Sequence, residues 1–413
     1  MNMKKKRTIL ITIILFSMLT GCVSSGRKSE LNETGDCDLS FLHHFSGLQK
    51  DEGVFFIRNL LDRTIYYLDQ KSNLGGPLCP RPDCEHRDTD CSAYFSGTAF
   101  SVNSGRLYYI GEGDARQQDY DYYLYSIDTD GWNKRRLRTI DRDNYQKIET
   151  NILGVMHRGY YFYSGGTYNV HEGIAKTGGM LIAYPLDGSK EITIYDKEFD
   201  SLLDACSVSM YMQPVENDLY FMVTAEHFDP EGEDRIYELE LFKWDIKGNR
   251  LEKIYEGRCP FFGFEFHIYQ NAFYFSCYSN NKVFSLNVQD NTFAEICEMN
   301  SEPYPFMQLA FSDSYIIGGS SDAAKDQIIE IRDYEGRCLL RETLPFEEIR
   351  DATRVFYGMD GEAAFFSFWS IDEYDGEDIT IKRLAAIPVN GESPSIIWSD
   401  REYVIERLNE SKT

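Results

Sequence analysis

The sequence predicts an all-β protein folded as a single β-propeller, with seven four-stranded blades as the leading count and six or eight as the alternatives. Three observations predict it. An aromatic-rich strand that follows a polar turn recurs seven times, and each unit then continues with a further strand and a tight hairpin. Long runs of helical periodicity are missing, while 29 Tyr and 27 Phe favour pleated, half-buried surfaces. Repeated sheets of this kind close into a ring.

The recurring strand is the clearest part of the repeat. Turn residues such as Asp51-Glu52-Gly53 and Asn103-Ser104-Gly105 precede most of its copies. Successive copies begin 43 to 59 residues apart, close to the ~40–50 residues of known propeller blades with loops added. The seven copies occupy residues 54–57, 107–110, 160–163, 219–222, 272–275, 315–317 and 364–366.

The second half of each unit contributes the hairpin. Residues 124–127 run into Asp128-Thr129-Asp130-Gly131, and residues 181–184 run into Asp187-Gly188. Gly and Asn tolerate the positive φ of such turns, so the chain reverses within two or three residues. A third strand such as 192–195 follows. A sandwich of unrelated hairpins is the competing architecture, but sandwiches rarely repeat one phrase seven times.

Closure of the ring is left open by the sequence. Residues 41–45 or residues 403–405 are the two candidates for the innermost strand of the first blade. Either choice removes an exposed sheet edge, which is the physical benefit of closure. The predicted propeller spans residues 39–408.

The N-terminus predicts export and a lipid anchor. Lys4-Lys5-Lys6-Arg7 precedes a short apolar stretch at 9–19, which is typical of a signal peptide over residues 1–21 and too short to span a bilayer. The following Leu19-Thr20-Gly21-Cys22 resembles the lipobox of bacterial lipoproteins. That resemblance implies cleavage before Cys22, a diacylglyceryl group on Cys22, and attachment to the extracytoplasmic face of the cell membrane. An uncleaved signal anchor is the alternative. Polar residues 22–38 then form a flexible tether.

The charge balance excludes one class of partner. The chain carries 42 basic and 67 acidic residues, a formal net charge of −25. Such a surface repels nucleic acid and anionic lipid headgroups, so no nucleic-acid partner is expected. Solubility of an exported protein is sufficient to explain the acidity.

One segment is dense in metal-ligating residues. Residues 77–91 contain Cys79, Cys84, His86 and Cys91 in the spacing C-x4-C-x-H-x4-C. Three thiolates and an imidazole are a closed ligand set for structural Zn²⁺, although this spacing is not that of a common zinc finger. A disulfide between two of the three cysteines and ordinary loop packing are the alternatives. The remaining cysteines stand singly, and most are expected to be small buried residues: Cys37, Cys206, Cys259, Cys277, Cys297 and Cys338.

This segment also carries a family resemblance. Tyr66-Tyr67-Leu68-Asp69, followed by Pro-Leu-Cys, Pro-Asp-Cys, a nearby His and a third Cys, resembles a group of largely uncharacterised bacterial lipoproteins of the Firmicutes type. Their propeller repeats are akin to those of the low-density-lipoprotein-receptor family. The resemblance implies a β-propeller fold and a lipoprotein location, and it implies no particular activity.

A ligand surface is expected at one end of the ring. Strands in a blade alternate in direction, so the loops between second and third strands share an end with the connections between blades. The long loops predicted at 111–121, 164–179, 223–238 and 367–379 therefore lie at the same end as residues 77–91. They are acidic and aromatic, and function usually resides on such loops. The isolated His157, His171, His227 and His267 are expected to be structural or surface residues.

No catalytic motif is specific in this sequence. It contains no HExxH, no GxSxG and no phosphate-binding glycine loop. The prediction is therefore a membrane-tethered, extracytoplasmic, non-catalytic binding or scaffold module for a protein, peptide or glycan. The alternative is a carbohydrate-active hydrolase or lyase that uses carboxylates near the central channel.

Overall fold

Alternating apolar and polar side chains along short segments produce a protein that is almost entirely β. In the computed structural model, the described part of the chain contains 28 strands arranged in seven four-stranded antiparallel sheets. The seven-bladed β-propeller predicted from the repeats is thereby confirmed. The structure describes residues 47–59, 63–72, 74–171, 174–200, 207–228, 235–277, 280–299, 307–320, 328–343, 354–359, 363–390, 392–402, 404–405 and 409.

Each blade is a simple meander whose strands follow one another in chain order, beginning with blades 1 to 4. Blade 1 contains β1 (Leu48–Asp51), β2 (Val54–Asn59), β3 (Thr64–Asp69) and β4 (Leu74–Pro77). Blade 2 contains β5 (Gly97–Asn103), β6 (Arg106–Glu112), β7 (Tyr122–Asp128) and β8 (Arg135–Ile140). Blade 3 contains β9 (Ile148–His157), β10 (Tyr160–His171), β11 (Ile174–Pro185) and β12 (Ile192–Asp200). Blade 4 contains β13 (Ser207–Val215), β14 (Asp218–Phe228), β15 (Arg235–Asp245) and β16 (Arg250–Cys259).

The same meander builds blades 5 to 7. Blade 5 contains β17 (Gly263–Tyr269), β18 (Ala272–Cys277), β19 (Lys282–Asn287) and β20 (Thr292–Glu298). Blade 6 contains β21 (Met307–Phe311), β22 (Ile316–Ser320), β23 (Ile328–Arg332) and β24 (Cys338–Thr343). Blade 7 contains β25 (Arg354–Met359), β26 (Ala363–Tyr374), β27 (Glu377–Pro388) and β28 (Ser395–Ser399). The seven repeated strands of the sequence are the second strands of the blades.

Helical structure is minor in the described residues. The α-helix α1 (Arg142–Lys147) is capped by Asp141, whose side chain accepts a hydrogen bond from the Asn144 backbone N–H at 3.0 Å. A 3-10 turn, Ala115–Gln117, lies in the β6–β7 loop.

A search of the described residues for a long, apolar, membrane-spanning helix finds none.

The hydrophobic core lies between neighbouring blades. Successive sheets face each other through aromatic and branched aliphatic side chains, for example Phe162 and Trp244 at a centroid distance of 5.7 Å between blades 3 and 4. Because each blade buries its faces only against its two neighbours, the ring needs every blade present to cover its apolar surfaces.

The innermost strand of blade 1 is β1, and neither sequence candidate fills that position. β1 pairs with β2 from Leu48↔Ile57 to Asp51↔Val54. Residues 41–45 lie outside the described residues, as does Tyr403, and residues 404 and 405 are helical. The prediction failed because the four-residue strand before the Asp51-Glu52-Gly53 turn is too short to give a periodic signal. Blade 1 is thus made from one continuous segment.

The ring nevertheless closes, through side-chain packing and a hydrogen bond from Lys382 Nζ of blade 7 to the Arg58 carbonyl of blade 1. The interface between blade 7 and blade 1, called the seam below, stacks Phe55 on Phe365 at 4.8 Å and Tyr66 on Trp398 at 5.4 Å between ring centroids. The same apolar cluster includes Leu48 and Leu384, both fully buried. Among the described strands none is shared across the seam, because the sheets of blades 1 and 7 each contain four strands of their own.

Three of the four predicted long loops are extended β-hairpins. β10 with β11 and β26 with β27 pair over twelve residues per strand, and β14 with β15 over eleven. The hairpin ends at 172–173 and 229–234 lie outside the described residues. In blade 7 the turn is Asp375-Gly376, with φ of 56° and 79°, which is the two-residue turn that Asp-Gly favours. The loop prediction was wrong there because polar, acidic residues continue the strand alternation on a solvent-exposed hairpin. Only 113–121 is a loop, between β6 and β7.

Candidate metal centre

The Cys/His segment (residues 77–91) is fastened to blade 1 at both ends. The backbone N–H of Leu78 donates to the Ile65 carbonyl at 2.8 Å, and the Ile65 N–H donates to the Ala93 carbonyl at 2.8 Å. A bridge between Thr64 and Tyr94 continues this contact. Leu78 and Ala93 are buried, so the segment leaves and re-enters the apolar core beside strand β3.

Four side chains of the segment converge to form the Cys3His cluster (Cys79, Cys84, His86 and Cys91). Their four potential ligand atoms all lie within 4.8 Å of one another, and His86 Nδ1 is 3.3 Å from Cys91 Sγ. His86 has a φ of 56°, a left-handed conformation that turns the chain back towards Cys91. The Cys91 N–H donates to the Asp88 carbonyl at 3.0 Å, which closes the last turn of the segment.

The described cysteines are all free thiols, including the three of the cluster. The structure therefore does not form the disulfide that the sequence left open. The arrangement brings together every ligand that the sequence predicted, and this cluster can hold a metal ion. Cys91 is buried, and the other three residues are half-buried.

The buried single cysteines agree with their predicted packing role. Cys259, Cys277 and Cys297 are buried, whereas Cys338 is exposed. Cys22, Cys37 and Cys206 lie outside the described residues, as do the predicted signal peptide at 1–21 and tether at 22–38.

Arg81 supplies positive charge to the sulfurs. Its guanidinium Nη2 donates to Cys84 Sγ at 3.3 Å and to the Asp90 carbonyl at 3.1 Å. Burial acts to raise the pKa of Cys79, but hydrogen bonds from the Arg81 backbone and guanidinium outweigh it, so that pKa is lowered. Burial, with a hydrogen bond to Cys84, raises the pKa of Cys91 to about 12. A bound cation would favour the thiolate forms of all three sulfurs.

Lys134 joins the cluster from blade 2. Its Nζ donates to the Cys91 carbonyl at 2.8 Å and to the Tyr94 carbonyl at 3.4 Å. The ammonium also lies 5.3 Å from the ring centroid of Tyr125. Burial lowers the pKa of Lys134 to about 8. Nothing in the sequence pointed to this residue, because it lies 43 positions from Cys91 and its contact depends on how two blades pack.

Two further contacts tie the Cys/His segment to blade 2. Arg116 of the β6–β7 loop pairs with Asp88 at 3.3 Å. Gly131 of the β7–β8 turn lies so close to Pro80 that a Cβ there would be 3.0 Å from the proline Cδ. The segment therefore lies along the side of blade 2, in contact with a loop from one end of the ring and a turn from the other.

The predicted structural role of the isolated histidines fits the positions of those whose side chains are described. His157 Nε2 is 3.0 Å from the Glu216 carbonyl oxygen, and His227 lies 3.3 Å from Glu238. His267, on the first strand of blade 5, is buried between Gln213 of blade 4 and Phe311 of blade 6, and burial lowers its pKa to about 4. The side chain of His171 lies outside the description.

The buried Glu240 and the half-buried Asp372 both pair with cationic side chains. Glu240 accepts hydrogen bonds from Tyr195 at 2.7 Å, Lys253 at 2.9 Å and Lys197 at 3.2 Å. Asp372 pairs with Arg383 at 2.8 Å and Arg401 at 3.0 Å. Where a described carboxyl group has a shifted pKa, the pKa is lowered, as in Asp69, Asp114, Asp119, Asp187, Glu240, Asp333 and Asp372.

Comparison with known proteins identifies no family for this chain. No family model and no curated protein matches the chain. Among solved structures, an oligogalacturonate lyase in complex with manganese is 12% identical, with 86% of this chain and 90% of that chain covered and a TM-score of 0.46. The β-propeller domain of the Trilobed protease from Pyrococcus furiosus is 9% identical, covering 88% and 96%, with a TM-score of 0.47. The GH74 enzyme of Niastella koreensis is 13% identical, covering 88% and 55%, with a TM-score of 0.47.

Proposed function

We propose that this protein is a lipid-anchored, extracytoplasmic β-propeller that binds a protein, peptide or glycan without catalysing a reaction, and whose Cys3His cluster holds a structural zinc ion. The observation that carries the binding role is the set of extended hairpins in blades 3, 4 and 7. Their paired strands are eleven or twelve residues long, against five to seven in the corresponding hairpins of the other blades.

These hairpins project from one end of the ring. The loop between the second and third strands lies at that end in every blade, so the β6–β7 loop is there too. Exposed side chains lie on them: Tyr168 is 47% exposed and Ile371 is 64% exposed, while Tyr120 of the β6–β7 loop is 60% exposed. Exposed aromatic side chains provide rigid contact area for peptides and stacking surfaces for sugars. We assign the ligand surface to this end of the ring.

The ionisation of the carboxyl groups favours a binding role over a catalytic one. A glycoside hydrolase needs one carboxylic acid with a raised pKa to protonate the leaving group. The buried Glu240 and the half-buried Asp372 are instead held as anions by lysine and arginine side chains, and their pKa values are lowered. The carbohydrate-active enzyme remains the second candidate, and turnover is therefore measured in the experiment below.

Zinc is the metal that best fits the cluster. Thiolate and imidazole are its preferred ligands, and four protein ligands complete a tetrahedral shell without leaving a position for a reacting water. The role we propose for the ion is therefore structural. Metal analysis of the purified full-length protein should find about one zinc per chain, and none in the Cys84→Ser variant. The Cys338→Ser variant, which alters an exposed thiol outside the cluster, is the matched control.

The location rests on the N-terminal sequence and on the resemblance to Firmicutes-type lipoproteins. Metabolic labelling with a radioactive fatty acid should label the wild-type protein and leave the Cys22→Ser variant unlabelled. Protease added to intact cells should digest the protein. Unlabelled wild-type protein, or a protein protected inside intact cells, would exclude the lipoprotein assignment.

Ligand binding is tested with detergent-solubilised full-length protein on glycan and peptide arrays. The Tyr168→Ala and Tyr120→Ala variants should lose binding, because truncating an exposed aromatic anchor removes most of its contact energy. Val288→Ala is the control, since Val288 is 39% exposed in the β19–β20 turn at the other end of the ring. If both tyrosine variants retained binding, the assignment of the ligand surface to this end of the ring would be wrong. Release of new reducing ends or shortened sugars from a bound glycan would favour the enzyme.

A further inference from the structure

We propose that zinc in the Cys3His cluster fastens blade 1 to blade 2 and thereby keeps the seam between blade 7 and blade 1 closed. This inference rests on the zinc site proposed above and adds a role for it in the whole ring. It starts from the position of blade 1 as a terminal blade. Its four strands come from one continuous stretch of chain, so no strand from the C-terminal end belongs to its sheet.

On the side of blade 7, the described contacts of blade 1 are therefore side-chain packing and one hydrogen bond to the Arg58 carbonyl, without strand pairing. The seam consists of an apolar cluster with the ring pairs Phe55–Phe365 and Tyr66–Trp398. Propellers that share a blade between the two ends of the chain add backbone hydrogen bonds at this point, and here those bonds are absent from the described sheets. Local opening occurs first where backbone pairing is missing.

The Cys/His segment gives blade 1 a second attachment on the side of blade 2. Blade 1 anchors the segment through the backbone bonds of Leu78 and Ala93 to Ile65. Blade 2 contacts the segment through Lys134 to the Cys91 carbonyl, Arg116 to Asp88, and Gly131 to Pro80. The segment residues in these three contacts all lie between positions 80 and 91. This is the part of the chain that would wrap around a bound metal ion.

The shape of this stretch depends on the ligands. The strand β4 ends at Pro77 and the backbone bonds to β3 resume only at Ala93, so residues 79–91 between these anchors belong to no strand. Thiols form only weak hydrogen bonds, whereas coordination by four side chains fixes a loop as a covalent clip does. Without the ion, we expect residues 79–91 to loosen, and the contacts of Lys134, Arg116 and Gly131 to be lost with them.

Arg58 connects this attachment to the seam. From strand β2 of blade 1 its guanidinium donates to the Thr98 carbonyl of blade 2 and lies 5.9 Å from the ring of Phe95, which follows the Cys/His segment. The backbone carbonyl of Arg58 accepts a hydrogen bond from Lys382 of blade 7. One residue of blade 1 thus contacts both neighbouring blades. When Phe95 and Thr98 move relative to β2, Arg58 loses its contacts with blade 2. Its hydrogen bond with Lys382 across the seam is then weakened as well.

The test is hydrogen exchange measured by mass spectrometry on full-length protein in detergent, with zinc bound and after chelation. Chelation should speed exchange in residues 78–95 and also in β1–β3 and β27, by about tenfold or more, while β17–β19 of blade 5 changes little. The Cys84→Ser variant should reproduce the chelated pattern, and Cys338→Ser should match the zinc-bound wild type.

The outcomes separate this inference from the zinc assignment. Faster exchange confined to residues 78–95, with β1–β3 and β27 unchanged, would overturn the seam inference and leave zinc as a local ligand. An equal rise in blade 5 would indicate general unfolding and would also overturn it. A full-length protein that binds no zinc would overturn both proposals.

Discussion

The ammonium nitrogen of Lys134 lies 2.8 Å from the backbone carbonyl oxygen of Cys91, so blade 2 donates a hydrogen bond to the main chain of a metal-ligand candidate. The lysine belongs to the residues that precede β8, and the cysteine to a segment anchored on β3. A bond between two blades is thus made at the cluster itself. Its strength determines how firmly the Cys/His segment is held.

Replacing Lys134 by Met should test that bond. Methionine keeps the apolar stem over Tyr125 but removes the ammonium group that donates to the Cys91 and Tyr94 carbonyls, which should lower the free energy of unfolding by about 1–3 kcal/mol. Urea denaturation followed by circular dichroism gives the value. Lys190→Met, at an exposed turn position, should change the stability by less than about 0.5 kcal/mol. Equal effects of the two substitutions would show that the Lys134 contact contributes nothing to stability.

Two neighbouring glycines test the packing of the seam. A Cβ on Gly75 would lie 2.9 Å from the Tyr67 carbonyl oxygen and 3.1 Å from the Trp398 ring, whereas a Cβ on Gly76 meets nothing within 4 Å. Gly75→Ala should therefore destabilise the protein by about 1–3 kcal/mol. Gly76→Ala should be neutral or stabilise by up to about 1 kcal/mol, because alanine restricts the unfolded chain. Thermal unfolding of the two variants distinguishes these expectations; a Gly75 variant as stable as the Gly76 variant contradicts the seam packing described here.

His267 predicts a pH dependence of stability. Burial lowers its pKa to about 4 in the folded protein, against an ordinary value of 6.5. Gln213 Nε2 lies 3.3 Å from its Nδ1, and Phe311 and Tyr334 stack beside the ring, so a charged imidazole finds no anionic partner among these neighbours. As the pH falls from 6.5 to 4, the unfolded chain binds a proton that the folded protein does not. The free energy of unfolding therefore decreases as the pH falls through this window. Below pH 4 both states bind the proton, so His267 causes no further loss of stability.

The His267→Gln variant isolates this contribution, because every other titrating group is common to both proteins. Between pH 7.5 and pH 5 the variant should gain roughly 2 kcal/mol of stability relative to the wild type. Urea denaturation at the two pH values measures the difference. A constant difference across this range would mean that His267 titrates alike in the folded and unfolded states.

Thiol labelling distinguishes the chemistry of the cysteines. In the native, zinc-bound protein a maleimide reagent should modify exposed Cys338 and spare the buried Cys259, Cys277 and Cys297. Chelation should then expose Cys79, Cys84 and Cys91 to the reagent. Peptide mass spectrometry identifies each labelled site, and Cys338→Ser serves as the control for the fast-reacting thiol. Cluster cysteines that label only after a reductant is added would indicate a disulfide instead.

The repeat unit and the cluster are the features that the sequence predicted correctly. The strand at 54–57 and its six counterparts all became second strands of blades, since alternation and turn residues act within a few positions. Cys79, Cys84, His86 and Cys91 converge because all four lie within a stretch of 13 residues, which a compact loop brings together. The Asp375-Gly376 pair also favours a hairpin turn, and the loop prediction for 367–379 was wrong because acidic residues occur on exposed strands as well as in loops.

Local pattern therefore predicted seven as the leading number of blades, the position of their second strands and the identity of the metal-ligand candidates. Tertiary structure alone decided that β1 fills the inner position of blade 1, that the seam closes without a shared strand, and that Lys134 and Arg58 connect neighbouring blades. Turns and strand alternation are set by interactions over a few residues, and these are visible in the sequence. Contacts between blades depend on the packing of whole sheets, which brings together residues tens or hundreds of positions apart, as with Arg58 and Lys382 at a separation of 324.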